Sequence, residues 1–114
     1  MKLISPKLHG IIDYLVVAFL LASPLIFGFD GVLAIFTYAL GAVHLLLTVA
    51  TDFPAGLIKL IPLSVHGSIE LIVGAVLITL AFTLFKDENN GRLFYIAFGT
   101  AVLLVWLATD YRKV

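Results

Sequence analysis

The 114-residue sequence contains no cysteine and little charge. Without cysteine the chain cannot form disulfides, thiolate metal sites or iron–sulfur clusters. Its seven basic and seven acidic residues cancel to a formal charge of zero, so there is no electrostatic footprint for nucleic acid. The sequence also lacks a phosphate-binding glycine loop and a serine or lysine in a nucleophile setting. These absences exclude nucleic acid as a partner and favour a protein without its own catalysis over an enzyme.

What the sequence does contain is apolar surface in excess of what a small soluble domain can bury. Hydrophobic residues make up 62% of the chain and charged residues 12%, and the mean hydropathy is +1.18. Four apolar runs of roughly 20 residues, each long enough to cross a bilayer, occupy 6–29, 32–52, 65–85 and 93–110. The segment 53–64 is broken by two prolines and is predicted to lie along the membrane interface. We therefore predict an all-α membrane protein with four transmembrane helices in a single membrane domain, 1–114, with the lipid bilayer as its surroundings.

The basic residues are distributed unevenly between the two sides of this predicted bundle. Five fall on the side of the termini and two on the other: Lys2, Lys7, Lys59, Arg112 and Lys113 against Lys86 and Arg92. Cytoplasmic segments of membrane proteins carry an excess of lysine and arginine. Both termini are therefore predicted to be cytoplasmic.

Residue matches at a nearly constant offset indicate an internal duplication. At an offset of 57 residues the matches are Lys2-Leu3-Ile4 with Lys59-Leu60-Ile61, His9-Gly10 with His66-Gly67, and Asp13 with Glu70. At an offset of 58 they are Gly41 with Gly99, and Ala50-Thr51-Asp52-Phe53 with Ala108-Thr109-Asp110-Tyr111. The two repeats, 2–57 and 59–114, each hold two spans and so enter the membrane in the same direction. We predict parallel-repeat helical hairpins related by a pseudo-two-fold axis along the membrane normal.

The first repeat also carries a family resemblance. Its elements are Ser23-Pro24 near the end of the first span, then Phe27-Gly28-Phe29 before a short turn, then Gly41 in the second span. In these features the chain resembles the SPW-repeat family of small bacterial integral membrane proteins, although Leu25 stands where that family's tryptophan is expected. The resemblance implies two-span repeats and a bacterial inner (plasma) membrane, and it implies no particular chemistry.

A layer of ionisable residues lies near the predicted cytoplasmic side. His9 and Asp13 are four residues apart, as are His66 and Glu70, so each pair shares one helix face. Ionisable groups in membrane spans are costly and commonly functional. One interpretation is a metal site with imidazole and carboxylate ligands from His9, Asp13, His66 and Glu70.

The other interpretation of the same layer is a structural latch. Asp52 and Asp110 are predicted to end the second and fourth helices, where the helix macrodipole disfavours negative charge. Each then needs a donor at a neighbouring helix start. The latch hypothesis predicts hydrogen bonds from His9 to Asp52 and from His66 to Asp110, with Gly10 and Gly67 allowing close helix approach.

His44 stands apart from the repeat, because its counterpart at the 58-residue offset is Val102. The sequence places it two turns deeper than Asp52. A lone histidine in a span most often bonds a backbone or hydroxyl group. Its functional alternatives are haem ligation and a proton relay toward Asp52. Haem would require a second histidine at the same depth, and His9 and His66 are predicted to be too shallow.

Three functions remain open from the sequence. The first is an accessory, scaffold or binding component of the membrane, with a homo-oligomer or another membrane protein as partner. The second is a metal- or haem-binding protein that handles electrons or protons through the His/carboxylate layer. The third is a solute channel, which the thinning of polar residues toward the outer side disfavours.

Overall fold

The computed structural model describes residues 3–111 and is all-helical apart from short extended segments. The four helices are α1 (Pro6–Phe27), α2 (Gly31–Val49), α3 (Leu63–Phe82) and α4 (Asn89–Ala108). With 19 to 22 residues each, they are about 28 to 33 Å long at 1.5 Å per residue, which matches a hydrocarbon core of about 30 Å. All four are long and apolar enough to cross a membrane, so the predicted number and kind of elements are confirmed.

Local sequence explains where α1 begins and ends. The Ser5 side chain accepts a hydrogen bond from the Leu8 amide, and Pro6 occupies the first turn, where a missing N–H costs nothing. At the other end Gly28 adopts the left-handed conformation, with φ of 67°, and its amide donates to the Pro24 carbonyl. This is a common way for a helix to stop before a tight turn. The first helix therefore ends two residues before the predicted boundary.

Each helix packs most extensively on its neighbour in sequence, α1 on α2 and α3 on α4. Glycines allow the close approach. A Cβ at Gly41 would lie 2.9 Å from the Leu21 side chain, and one at Gly99 would lie 2.8 Å from the Ile78 side chain. Small residues at such crossings are typical of helix pairs in membranes. The two halves are thus two helical hairpins.

The connection between the hairpins is extended and does not contain a helix. Strands β1 (Thr51–Asp52) and β2 (Ile61–Pro62) pair in parallel, with Thr51 opposite Ile61. Amides of the intervening loop cap the end of α2: Leu57 and Ile58 donate to the Val49 carbonyl at 2.8 and 3.0 Å. These bonds explain why α2 ends at Val49 and not at residue 52 as predicted.

The same arrangement recurs at the chain ends. Ile4 forms a parallel bridge with Thr109, and the Ile4 amide donates to the Ala108 carbonyl at 2.9 Å. Helix α4 ends at Ala108, so Asp110 lies beyond it, as Asp52 lies beyond α2. The prediction that these two acids end the helices is therefore wrong.

The far end of the bundle, opposite the end with the chain termini, contains an aromatic and aliphatic core. Its fully or nearly fully buried members are Phe29, Leu33, Leu77, Ala81, Phe85 and Tyr95. Thr37 and Tyr95 join α2 to α4 there through a 2.8 Å bond between their hydroxyls. Helix α4 starts at Asn89, four residues before the predicted boundary, because the polar Asn89-Asn90-Gly91 segment is helical.

Some sequence-based predictions concern residues outside the described range. Lys2, Arg112 and Lys113, three of the five basic residues that carry the orientation argument, lie there. The other four basic residues of that argument lie within the described range and are all exposed: Lys7, Lys59, Lys86 and Arg92.

Candidate metal site

The predicted metal-binding residues converge at one end of the bundle. His9 and Asp13 lie one turn apart near the start of α1, and His66 and Glu70 are spaced in the same way near the start of α3. Candidate ligand atoms of all four lie within 4.8 Å of one another. The side chains of both histidines are fully buried, and those of the two acids are at most 5% exposed. The helix spacing therefore brings together the four residues named from the sequence.

Both histidines present the same ring nitrogen to the carboxylates. His9 Nε2 lies 2.6 Å from Glu70 Oε1 and 3.2 Å from Asp13 Oδ1. His66 Nε2 lies 3.2 Å from Asp13 Oδ2 and also contacts Glu70 Oε1. The two rings approach edge to face, with their centroids 5.3 Å apart. Two imidazoles and two carboxylates thus surround one small volume.

Two buried threonines, matched in the repeat but not predicted as site residues, contact the outer nitrogens of the histidine rings. His9 Nδ1 lies 2.8 Å from Thr109 Oγ1, and His66 Nδ1 lies 2.7 Å from Thr51 Oγ1. Each threonine hydroxyl also donates to the carbonyl four residues earlier, at 2.6 Å in both cases. A signal for them was present, since Thr51 and Thr109 match in the repeat alongside the aspartates that drew attention.

These bonds fix which ring nitrogen carries a proton. A hydroxyl has one hydrogen, and here it goes to a backbone carbonyl, which can only accept. The histidine Nδ1 must therefore donate to the threonine oxygen. In a neutral ring Nε2 is then the unprotonated nitrogen, and its lone pair points into the cluster. A hydrogen bond from Nε2 to the Glu70 carboxylate requires the doubly protonated ring. Metal-binding histidines are oriented in this way by an outer hydrogen bond to the second ring nitrogen.

The hydrogen bonds predicted by the latch hypothesis are not the ones these rings make. Both nitrogens of His9 are engaged by Thr109 and Glu70, and both nitrogens of His66 by Thr51 and Glu70. The bonds also cross between hairpins, from α1 to the end of α4 and from α3 to the end of α2. A latch from His9 to Asp52 would have stayed within one hairpin. Because the helices stop short of the aspartates, the preceding threonines occupy the positions facing the rings.

Aromatic residues following α2 and α4 close the cluster from the outside. Phe53 lies 5.6 Å from the His66 ring and Tyr111 lies 5.7 Å from the His9 ring, measured between centroids. Gly10 and Gly67 make room for them: a Cβ at Gly67 would be 3.1 Å from the Tyr111 ring, and one at Gly10 would meet Phe53 and Ala55. Burial and the charge of Glu70 raise the pKa of the Tyr111 phenol. The residues over the site are therefore aromatic and uncharged.

His44 also reaches the cluster, through Asp13 and not through the other histidines. Its Nε2 is 3.4 Å from Asp13 Oδ1. Asp13 lies one turn further into the bundle than His9, about 6 Å at 1.5 Å per residue. The carboxylate of Asp13 therefore sits between the shallow and the deep histidines.

The buried Tyr111 hydroxyl over the cluster makes no hydrogen bond among residues 3–111. The same holds for Asp13 Oδ2 and His44 Nε2, which have the longer contacts of 3.2 Å with His66 Nε2 and 3.4 Å with Asp13 Oδ1. Buried polar groups are rarely left unpaired, since each costs about 1 to 3 kcal/mol. Two small cavities, of about 50 and 30 Å³, adjoin His44. They are far too small for a haem macrocycle beside His44, so haem is not a fitting ligand for this cluster.

The donor set suits a divalent first-row transition-metal ion. Imidazole nitrogen and carboxylate oxygen bind such ions at roughly 2.0 to 2.2 Å, which spaces the ligand atoms of one sphere about 3 to 4 Å apart. The cluster needs only small side-chain movements to reach that spacing. Comparisons with protein-family models, with curated proteins and with solved structures gave no match.

Proposed function

We propose that this chain is a membrane protein whose function is to bind one divalent transition-metal ion through His9, Asp13, His66 and Glu70. It acts as a binding component and has no catalytic activity of its own. The observation that carries the proposal is the pair of threonine bonds described above. They direct two Nε2 lone pairs at the point where two carboxylates also converge.

Charge balance supports a divalent ion at this position. Asp13 and Glu70 together contribute two negative charges in a volume from which water is excluded. An uncompensated charge at such a site is costly. One divalent ion bound to two neutral imidazoles and two carboxylates is electrically neutral, and it gives the unpaired Asp13 Oδ2 a partner.

We also propose that the two hairpins are structural repeats related by a pseudo-two-fold axis. Several hydrogen bonds between counterpart residues support this. Counterpart contacts have nearly equal lengths: His9–Thr109 and His66–Thr51 at 2.8 and 2.7 Å, and the Ile4–Ala108 and Ile61–Ala50 backbone bonds at 2.9 and 2.8 Å. Thr37 and Tyr95, themselves counterparts, bond each other at 2.8 Å. Residues related by a two-fold axis can meet each other only beside that axis. The axis would then pass between Thr37 and Tyr95 and between His9 and His66, leading into the metal site.

We also propose that the helices span a bacterial inner membrane with both termini in the cytoplasm. Large apolar side chains remain exposed along the helices, among them Leu15, Leu25 and Leu104 at 66%, 83% and 60%, as expected for surfaces that face lipid. The orientation and the bacterial setting rest on the basic-residue bias and on the resemblance to the SPW-repeat family. A reporter fused to the C-terminus should be active only on the cytoplasmic side, and periplasmic activity would refute the orientation.

A scaffold without metal is the second candidate. It is favoured by the way Glu70 Oε1 contacts both Nε2 atoms. If both rings carry a second proton, two imidazolium ions and two carboxylates also balance in charge, and the cluster becomes a latch between the hairpins. In that case the protein would serve as an accessory for a membrane partner or for a second copy of itself.

Metal titration separates the two candidates. The protein, reconstituted in lipid nanodiscs, is titrated with Zn²⁺ in competition with a chromophoric chelator. Metal binding predicts one ion per chain, and His9→Ala and His66→Ala should each weaken binding by more than about 100-fold, because loss of even an outer-shell partner costs roughly 10- to 100-fold.

A control and a stability measurement complete the test. Asp52→Asn changes an exposed acid beside Thr51 and should leave metal affinity unchanged. The scaffold instead predicts that wild-type protein takes up no ion. In that case the histidine variants should be destabilised only modestly, by about 0.6 to 2 kcal/mol per lost membrane hydrogen bond.

A further inference from the structure

His44 is the one residue of the cluster that the two-fold pattern does not supply. It projects from α2, and its counterpart on α4 is Val102, which carries no ligand atom. The His44 side chain is 17% exposed, and its Nε2 is buried without a hydrogen-bond partner among the described residues. A structural histidine normally satisfies both ring nitrogens when buried. Asp13 Oδ1 lies 3.4 Å from this nitrogen, which is too long for a strong hydrogen bond. A metal ion beside that carboxylate would give Nε2 a closer partner.

The position of that nitrogen points to the metal. It is 3.4 Å from Asp13 Oδ1, and the same carboxylate oxygen is 3.2 Å from His9 Nε2. Atoms that share one carboxylate oxygen at these distances can belong to one coordination sphere, whose ligand atoms lie about 3 to 4 Å apart for bonds of roughly 2.0 to 2.2 Å.

Resting on the proposed metal-binding function, we propose that His44 is a third imidazole ligand. The ion would be bound by three histidines and two carboxylates, displaced from the pseudo-two-fold axis toward α2. Five protein ligands exceed the four of a closed tetrahedral zinc site. The site therefore selects first-row divalent ions that accept five or six nitrogen and oxygen ligands.

The small cavities provide room for a sixth ligand. His44, Glu70, Phe98 and Val102 line both of them, and Asp13 also lines the larger, of about 50 Å³. A water molecule needs roughly 10 to 15 Å³ of this kind of volume and two or more polar partners. The larger cavity has that volume and is lined by the polar residues Asp13, His44 and Glu70. An ion held by these residues would therefore have room for a water ligand on the side where α2 carries His44 and α4 carries Val102.

The test uses Co²⁺ as the probe, because its visible absorption is weak with six ligands and intense with four. His44→Val gives α2 the residue that α4 carries at the matching position. We expect this variant to bind Co²⁺ about 100-fold more weakly, the upper end of the loss typical for an outer-shell partner, and to show more intense absorption than wild type. Val102→Ala is the matched control: it enlarges the same cavities without removing a donor, and its affinity should stay near that of wild type.

X-ray absorption of the wild-type Co²⁺ protein counts imidazole ligands directly and does not depend on any variant folding. Three imidazoles support the inference, and two overturn it while leaving the proposed function intact. Unchanged affinity and spectrum in His44→Val would also overturn it. If wild-type protein binds no Co²⁺, both the inference and the proposed function fail.

Discussion

The buried polar groups at the two ends of the bundle differ in how completely they are hydrogen-bonded. At the far end, the Thr37 hydroxyl donates to the Leu33 carbonyl at 2.8 Å and accepts from Tyr95, so each hydroxyl hydrogen has an acceptor. At the end near the termini, the Nδ1 atoms of His9 and His66 bond threonine hydroxyls. Asp13 Oδ2 and His44 Nε2, however, make no hydrogen bond among residues 3–111. The polar groups at the far end pair among themselves, whereas those of the cluster leave a place for the ion proposed above.

This difference separates packing from function within one small fold. Polar groups that merely join helices are found in self-sufficient pairs, since an unpaired group in a low-dielectric interior is costly. Groups that bind a ligand are pre-oriented by the protein and left with free lone pairs. The following predictions alter the two ends separately, in order of decreasing expected effect.

The largest effect is expected from neutralising a carboxylate of the cluster. Glu70→Gln or Asp13→Asn removes one of two negative charges and replaces a strong ligand with a weak one. Metal affinity should fall by more than about 100-fold, beyond the range for an outer-shell loss. In metal-free protein the two rings would carry a second proton and pair with the carboxylates. Removing one carboxylate then leaves a buried charge unpaired, which should lower the free energy of unfolding by about 3 to 5 kcal/mol.

Glu88→Gln serves as the control for these carboxylate variants, since Glu88 is exposed at the start of α4, at the far end. Its affinity and stability should match those of wild type in the same chelator competition and denaturation assays. If Glu70→Gln behaves like Glu88→Gln in both assays, the cluster is not a ligand set.

An intermediate effect is expected from the outer threonines. Thr51→Val and Thr109→Val keep the side-chain shape but remove the acceptor for Nδ1–H, so each should weaken metal binding by about 10- to 100-fold. Thr48→Val is matched in type and burial, but its hydroxyl bonds the His44 carbonyl and contacts neither His9 nor His66. Metal affinity in that variant should be unchanged. Equal affinities for all three variants would show that the hydroxyl bonds do not orient the rings.

The smallest effect is expected at the far end. Tyr95→Phe removes the bond to Thr37 and should destabilise the bundle by about 0.6 kcal/mol, with roughly 1.7 as an upper bound for such bonds in membranes. Unfolding in mixed detergent micelles measures this change. Metal affinity should not change, and a drop comparable with that of Thr51→Val would mean that the two ends are energetically coupled.

The helices and the four candidate ligands were predictable because both depend on local patterns. Apolar runs determine the number of spans, and the four-residue spacing of His9 with Asp13 and of His66 with Glu70 puts each pair on one face. The contact between His44 and Asp13 was not predicted, because His44 was compared in depth with His9 and His66 and not with Asp13, which lies one turn further along α1.

The threonine partners were not predictable in the same way. Their roles depend on where α2 and α4 end, and the end of α2 is set by bonds to the Val49 carbonyl from the loop that follows it. They also depend on which hairpin faces which. Sequence adjacency suggested bonds within a hairpin, while the actual bonds cross between hairpins. Contacts of this kind follow from the docking of the two halves, which no local pattern encodes.

The central claim is that the end near the termini holds one metal ion, and elemental analysis of the purified protein tests it most directly. Protein is extracted from membranes without chelators or added metal and compared with the double variant His9→Ala/His66→Ala prepared in parallel. The account predicts close to one equivalent of a single first-row divalent metal in wild type and none in the double variant. Wild-type protein that is folded and free of metal, or equal metal content in both preparations, would contradict it.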